Sequence, residues 1–217
     1  MRFDHAATRL MGLPMPAALP DGPAELMPVF TDGRLRPRLR PSTTARPAAV
    51  LALMFPDRDG LARIVLTERR TYDGHHSGEV SLPGGKAEDG DVDPAATALR
   101  EAREEVGLDP AAAGVRVVGT LGEVFITVSD FRITPIVAVA DRAPVLRASE
   151  AEVARILTPP VSAFLPGAPI EIVERRIGDW PLRYGGYRIG GLHVWGATAR
   201  ILGQLGAVLA ADTLTGD

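Results

Sequence analysis

One stretch of this chain changes period. Between Asp93 and Gly107 the apolar residues Ala95, Leu99, Ala102 and Val106 recur at steps of 4, 3 and 4, the apolar stripe of a helix with one packed face. Asp93 is a good N-cap. Pro94 suits the first helical position, where its missing N–H costs nothing, and Gly107 stands where a left-handed C-cap belongs. No Gly or Pro interrupts the run from Ala95 to Val106, and most of its residues are good helix formers. The spacing therefore predicts a helix over Pro94–Val106.

The rest of the pattern reads as short strands divided by turn residues. Residues 48–55 form a continuous apolar run, and residues 63–67 alternate around Ile64 and Leu66 after the turn Asp57-Arg58-Asp59-Gly60. Residues 80–82 make a short strand into Leu82-Pro83-Gly84-Gly85. Strands are also expected over 115–121 and 132–140, a short helix or strand over 150–156, and a loop or helical turn over 159–164. Residues 169–175 and 187–189 read as a hairpin around Gly178. Residues 195–210 read as a terminal helix with Ile201, Leu202, Leu205 and Leu209 as its core face. Residues 1–12 have weak helical character, and 13–46, rich in Pro, Gly, Arg and Ala, read as an extended arm or irregular lead-in. The mixture of strands and helices gives an α/β class. The expected organisation is a lead-in over 1–45 and a single domain over 46–217. No internal repeat or low-complexity stretch appears.

The polar side of the predicted helix carries the chemistry. Glu101, Glu104 and Glu105 stand at i, i+3 and i+4 and should form one patch, with Arg100 in reach of Glu104. Three close carboxylates raise each other's pKa, and near a helix C-terminus they oppose the macrodipole. A divalent cation removes that conflict, and oxygen donors of this kind suit Mg²⁺ or Mn²⁺. The plain alternative for these glutamates alone is a solvated acidic face balanced by Arg100 and Arg103. Upstream, Gly84 and Gly85 allow close approach to a ligand or a positive φ.

Gly84-Gly85-Lys86-Ala87-Glu88-Asp89-Gly90-Asp91, followed by Arg100-Glu101-Ala102-Arg103-Glu104-Glu105-Val106-Gly107-Leu108, resembles the Nudix box, G-x5-E-x7-R-E-U-x-E-E-x-G-U with U apolar. Asp91 replaces the first Glu, and eight residues separate it from Arg100, one more than the pattern has. The upstream segment is similar to the motif of the coenzyme A diphosphatase subgroup. Leu66, Thr67, Arg69, His76, Gly78, Pro83, Gly84 and Gly85 match it, while Asp73-Gly74 stands where that motif has Leu-Arg. Phe131-Arg132-Ile133-Thr134-Pro135, Glu152-Val153 and Trp195-Gly196-Ala197-Thr198-Ala199 extend the similarity over about residues 46–209.

The resemblance implies a Nudix α/β/α sandwich, with a mixed β-sheet between helices, that hydrolyses a diphosphate bond in coenzyme A or its derivatives to 3′,5′-ADP and 4′-phosphopantetheine. It implies Glu101, Glu104, Glu105 and the Gly85 carbonyl as metal ligands for Mg²⁺ or Mn²⁺, with Arg100 orienting the acidic cluster. Arg69, His76 and Gly84 become substrate-binding residues. Glu101 is the first choice of general base, with Glu123 and Glu152 as further candidates on later segments. His193 and Trp195 are expected to pack. Two alternatives remain open: a Nudix hydrolase acting on ADP-ribose, NADH or a nucleoside triphosphate, and a catalytically silent nucleotide sensor. The complete R-E-x-x-E-E favours turnover over sensing.

Composition narrows the partners. The chain has 217 residues, 46% of them hydrophobic, enough for a substantial core. A formal net charge of −3 does not fit a general nucleic-acid surface. Arg63, Arg69, Arg70, His75 and His76 are a local basic group able to attract an anion. The absence of cysteine excludes disulfides and thiolate ligation. No apolar run approaches a membrane span and no signal pattern is seen, so no membrane partner and a cytoplasmic location are expected. The expected partner is a small-molecule nucleotide, and a homodimer is left open.

Overall fold

The computed structural model describes residues 1–13, 16–35, 44–70, 78–127, 129–177 and 180–211. The chain opens with helix α1 (Phe3–Met11), 3-10 turns at Pro16–Ala18 and Ala24–Leu26, and strand β1 (Val29–Phe30). Strands β2 (Arg46–Pro56), β3 (Ala62–Ile64), β4 (Leu66–Arg69), β5 (Val80–Ser81) and β6 (Gly84–Lys86) lead to α2 (Pro94–Val106) and the single turn α3 (Pro110–Ala113). Then come β7 (Val115–Thr120), β8 (Val124–Ile126), β9 (Phe131–Ala140), β10 (Val153–Leu157), a 3-10 turn at Val161–Phe164, β11 (Glu171–Ile177), β12 (Trp180–Ile189), β13 (Leu192–Val194) and α4 (Gly196–Ala210).

The central sheet has the order β3-β2-β9-β7, with β6 also on β2 and β8 also on β9. Its β2–β9 pair is parallel and its other pairs are antiparallel, so the sheet is mixed. Alternate residues of β2 serve two cores. Ala49, Leu51, Leu53 and Phe55 pack with Ala98, Ala102 and Val106 of α2. Ala52 and Met54 face the opposite way, into a cluster with Ala6 and Leu10 of α1 and Leu202, Leu205 and Leu209 of α4. Burial on both faces is why β2 reads as an unbroken apolar run rather than an alternation. The result is an α/β/α sandwich.

The main helix has the predicted bounds. The Asp93 carboxylate accepts from Ala96 N–H at 2.7 Å, Pro94 takes the first helical position, and Gly107 ends the helix in the left-handed region. Other expectations change. Residues 63–67 are not one strand: the chain crosses between sheets at Val65, whose N–H donates to Leu53, so β3 joins the central sheet and β4 joins β5 and β10. Gly84 and Gly85 lie in strand β6 on β2, not in an open loop. Residues 150–156 resolve into a turn followed by strand β10 from Val153, and the hairpin's second strand begins at Trp180, while Gly178 lies outside the described residues. The elements α3, β8 and β13 are too short to leave a period in the sequence.

The segment read as an irregular lead-in is also built into the core. Strand β1 pairs with β12, and Leu26 is 1% exposed. A Cβ on Gly22 would meet the main chain of Gly203 and Gln204, and one on Gly203 would meet Leu26 and Pro23. Glycine at both positions lets this strap lie directly on α4. The Gln204 side chain fastens the contact, accepting from Gly122 N–H at 3.0 Å and donating to the Pro20 carbonyl at 3.4 Å. The strap's polar groups bond to distant elements, so no local period announces them.

Leu26→Ala is expected to lower the unfolding free energy by about 2–5 kcal/mol, the range for emptying a buried leucine site. A guanidinium titration with circular dichroism reads it, and a loss under ~1 kcal/mol would mean that the strap is not part of the cooperative core.

Candidate functional site

Helix α2 lies across β2 and β6, and the two glycines of β6 make that approach feasible. Gly84 has φ 154°, and a Cβ there would fall on the Ala49 carbonyl and Val50 Cα. At Gly85 a Cβ would collide with the Glu101 carboxylate. The first glycine therefore accommodates backbone, and the second accommodates the acidic side chain lying over it.

The three glutamates of the helix occupy three environments rather than the single patch expected. Glu105 is 3% exposed, and its Oε2 accepts from Gly84 N–H at 3.1 Å. Burial pushes its carboxyl up to about 7, against the opposing pull of that N–H and of the Arg69 charge, while the charges of Glu101 and Glu152 raise it further. Glu101 is half-buried, and desolvation raises its pKa although Arg100 opposes the shift. Glu104 is exposed and pairs with Arg100 at 3.0 Å. The stagger follows from helix geometry. Glu105 stands on the side that meets the sheet, and Glu104 is turned about 100° away from it.

Arg100 is the hub of the polar side. Its Nε and Nη2 each lie 3.1 Å from an Asp91 oxygen, its Nη2 also donates to the Lys86 carbonyl at 2.9 Å, and its Nη1 bridges Glu101 at 3.1 Å and Glu104 at 3.0 Å. These anions, Asp91 foremost, raise the guanidinium's pKa further. Asp91 also accepts from Thr97 Oγ1 and Glu88 N–H, both at 2.9 Å. Hydrogen bonds, led by Arg100, hold the Asp91 carboxyl down at about 2. The residue that departs from the Nudix pattern in type and spacing thus ties the loop after β6 to α2. Its position in the box was the only sequence sign of this role. Among the described residues no three acidic or histidine side chains already converge as a ligand set for one ion; Arg100 lies between Glu101 and Glu104.

The remaining candidates separate. Arg69 ends β4, and its charge acts on Glu105. Just before β10, Glu152 accepts from Arg70 N–H at 2.9 Å through its carbonyl, and its charge bears on both Glu101 and Glu105. The turn before it covers the end of α2: Arg147 N–H donates to the Val106 carbonyl and Ser149 N–H to the Glu105 carbonyl, both at 2.8 Å. These bonds satisfy carbonyls that a helix end leaves open, and they bring Glu152 to the acidic site. Glu123 is instead exposed beside Arg132 and Thr134, lining a cleft with Asp91, Asp93 and Thr97 at the N-terminal end of α2. Arg63 leaves the expected basic group and pairs with Asp57 at 2.8 Å. His76, with Asp73, Gly74 and His75, lies outside the described residues. Trp195 stacks on Tyr184 at 5.0 Å, and His193 lies over the same ring at 6.2 Å.

An acidic helix laid over a Gly-Gly strand within an α/β/α sandwich is the arrangement of a Nudix domain. Residues 45–164 match the NUDIX domain model. The chain is 39% identical over 182 residues to Nudix hydrolase 22, chloroplastic, of Arabidopsis thaliana, covering 80% of this chain and 57% of that protein. It is 40% identical over 163 residues to Nudix hydrolase 15, mitochondrial, of the same plant, covering 71% and 55%. The chain thus spans a little over half the length of these plant relatives. With the Escherichia coli K12 protein named uncharacterized Nudix hydrolase NudL the identity is 36% over 179 residues, covering 79% and 87%. Among solved structures, the Nudix hydrolase RenU from M. smegmatis shares the fold, with a TM-score of 0.53 and 23% identity over 80% of this chain and 91% of that one. This chain belongs to the Nudix family. Among the described residues no helix is long and apolar enough to cross a membrane.

The Asp91–Arg100 bond sets a pH signature for stability. The folded pKa of Asp91 is depressed from 3.8 to about 2, so its contribution is complete above 3.8 and is lost as pH falls through about 2. Denaturant midpoints across this range should show wild type more stable than Asp91→Asn at the upper end, with the gap closing towards the lower end. A gap that does not change with pH would rule out the ionised pair as its source.

Proposed function

We propose that this chain is a divalent-metal-dependent hydrolase that cleaves the diphosphate bond of coenzyme A or a derivative, releasing 3′,5′-ADP and 4′-phosphopantetheine. The observation that carries the reading is the juxtaposition of Glu101 and Glu105 with Gly85 and Gly84, on a helix with the complete Arg-Glu-x-x-Glu-Glu series. The substrate class is supported by the upstream residues Leu66, Thr67, Arg69, His76, Gly78 and Pro83, which match the coenzyme A motif.

The donors fit a hard cation. They are carboxylates, two of them partly desolvated with raised pKa values, so a positive charge would favour their ionised form. Glu101, Glu104, Glu105 and the Gly85 carbonyl would hold Mg²⁺ or Mn²⁺. The bound ion would neutralise phosphate charge and acidify water. Arg100 orients the glutamates through its bonds to Glu101, Glu104 and Asp91 and does not itself touch substrate. Arg69 and His76 bind the substrate's phosphates; Gly84, expected to join them, is buried under β2 with its N–H taken by Glu105, so it supports the site instead. Water oxygen forms the new bond to phosphorus as the bridging P–O bond breaks, and its proton passes to Glu101. Glu152 is the neighbouring carboxylate able to receive it; Glu123, beside the helix's other end, is less suited.

Gly74 stands where the coenzyme A motif has Arg. That departure favours a second reading, a Nudix hydrolase for ADP-ribose, NADH or a nucleoside triphosphate. A panel of coenzyme A, ADP-ribose, NADH and dGTP with Mg²⁺ or Mn²⁺, with products identified by mass, separates the two. Release of 3′,5′-ADP from coenzyme A should be fastest, and a faster rate on another substrate would replace it. Glu104→Gln and Glu105→Gln should each lower kcat by ~100-fold or more, since metal-borne charge stabilisation is worth several kcal/mol. In Glu105→Gln the introduced amide oxygen can still accept from Gly84 N–H, so the fold should survive. Retained activity in both variants would overturn the assignment.

A further inference from the structure

We infer that β11 is a homodimer interface, at which a second copy of this chain pairs antiparallel about a two-fold axis centred on Val173. Strand β11 is the outer strand of the sheet β1-β12-β11. It pairs with β12 from Glu171↔Gly186 to Ile177↔Trp180 without a bulge, and among the described residues no strand covers its other edge. From Glu171 to Arg176 only Val173 is partly buried; the other five residues are exposed, Ile172 at 50%.

Exposed edges of this length are usually blunted by charged side chains, Pro or a bulge, because their open N–H and C=O groups template pairing with another chain. This strand has neither Pro nor bulge. It does carry charges, and their order decides the partner. Successive residues of a strand alternate faces, so Glu171, Val173 and Arg175 share one face. When two identical strands pair antiparallel about Val173, valine meets valine, Glu171 of each copy faces Arg175 of the other, and Ile172 faces Glu174. Two opposite-charge pairs form directly across the join, the favourable case for cross-strand neighbours. Centring on Glu174 would oppose two identical carboxylates, which is destabilising.

The side chains are ready for that register. Arg188 of the same chain holds both Glu171 oxygens, at 2.9 and 2.8 Å. A carboxylate so fixed still has acceptor capacity for a second guanidinium. Arg175 has no carboxylate partner among the described residues. Joining two copies would run β1-β12-β11 into its symmetry mate as one continuous sheet, with main-chain bonds supplying affinity and the alternating charges supplying register.

Charge exchange tests this, read by sedimentation velocity and light scattering across the micromolar range. Wild type should be a dimer. Arg175→Glu opposes two carboxylates at each join and Glu171→Arg opposes two guanidiniums. Each alone should weaken the dimer at least about tenfold, equivalent to about 1.4 kcal/mol. An equimolar mixture of the two variants restores opposite charges at both joins. At one, the guanidinium introduced at position 171 meets the carboxylate introduced at position 175; at the other, the native Glu171 and Arg175 face each other. The mixture should therefore re-form a dimer that neither variant forms alone. Circular dichroism confirms that each variant is folded. A monomeric wild type, a single variant that dimerises as wild type does, or a folded mixture that stays monomeric would each overturn the inference.

Discussion

The seating of α2 on Gly84 and Gly85 is the contact on which the rest of this structure depends. A helix can bring carboxylates onto a strand only where the strand has no side chain in the way, and here the Glu101 carboxylate occupies the space a Cβ on Gly85 would need. Gly84 closes the same approach from the other side, fitting under β2 with a φ few other residues adopt and donating its N–H to the buried Glu105. Helix and strand positions are thus mutually determined. Ala98, Ala102 and Val106 supply the apolar adhesion, and the glycine pair sets its distance.

That seating creates an electrostatic cost, which the surrounding residues distribute. Burying Glu105 disfavours its charge, and its neighbours Glu101 and Glu152 make matters worse. Arg100 offsets part of this on the solvent side by bonding Glu101, Glu104 and Asp91 together, and Arg69 contributes from β4. A carboxylate held against its preference beside other carboxylates is the kind of group that a cation would relieve. The loop after β6 is held to the helix through Asp91, which makes the substituted position of the box part of its framework.

Away from the site, the chain's two ends are assembled with distant elements. The strap before β2 lies on α4 because Gly22 and Gly203 let two backbones approach, and Gln204 joins it to the loop carrying Glu123. Among the described residues the outer edge of the β11–β12 hairpin is uncovered, with charges ordered for self-recognition. Core and outer edge follow different rules: close packing governs the first, and charge register governs the second.

The sequence by itself determined the elements whose signals are local. Asp93, Pro94 and Gly107 delimit α2 to the residue, because caps act within one turn. The apolar runs of β2 and β9 declare buried strands, and the spacing of Arg100, Glu101, Glu104 and Glu105, taken together with Gly84 and Gly85 upstream, marks the candidate site. Tertiary structure decided what depends on distant neighbours. It separated the environments of Glu104 and Glu105, since burial of one helix side is set by the sheet beneath it. It brought Glu152 to the site and left Glu123 beside the other end of the helix, since hydrogen bonds from residues 147 and 149 to the end of α2 cannot be read from either segment. It also split residues 63–67 between two sheets and ordered the strap before β2, where Leu26 is buried against α4 without any periodic pattern to announce it.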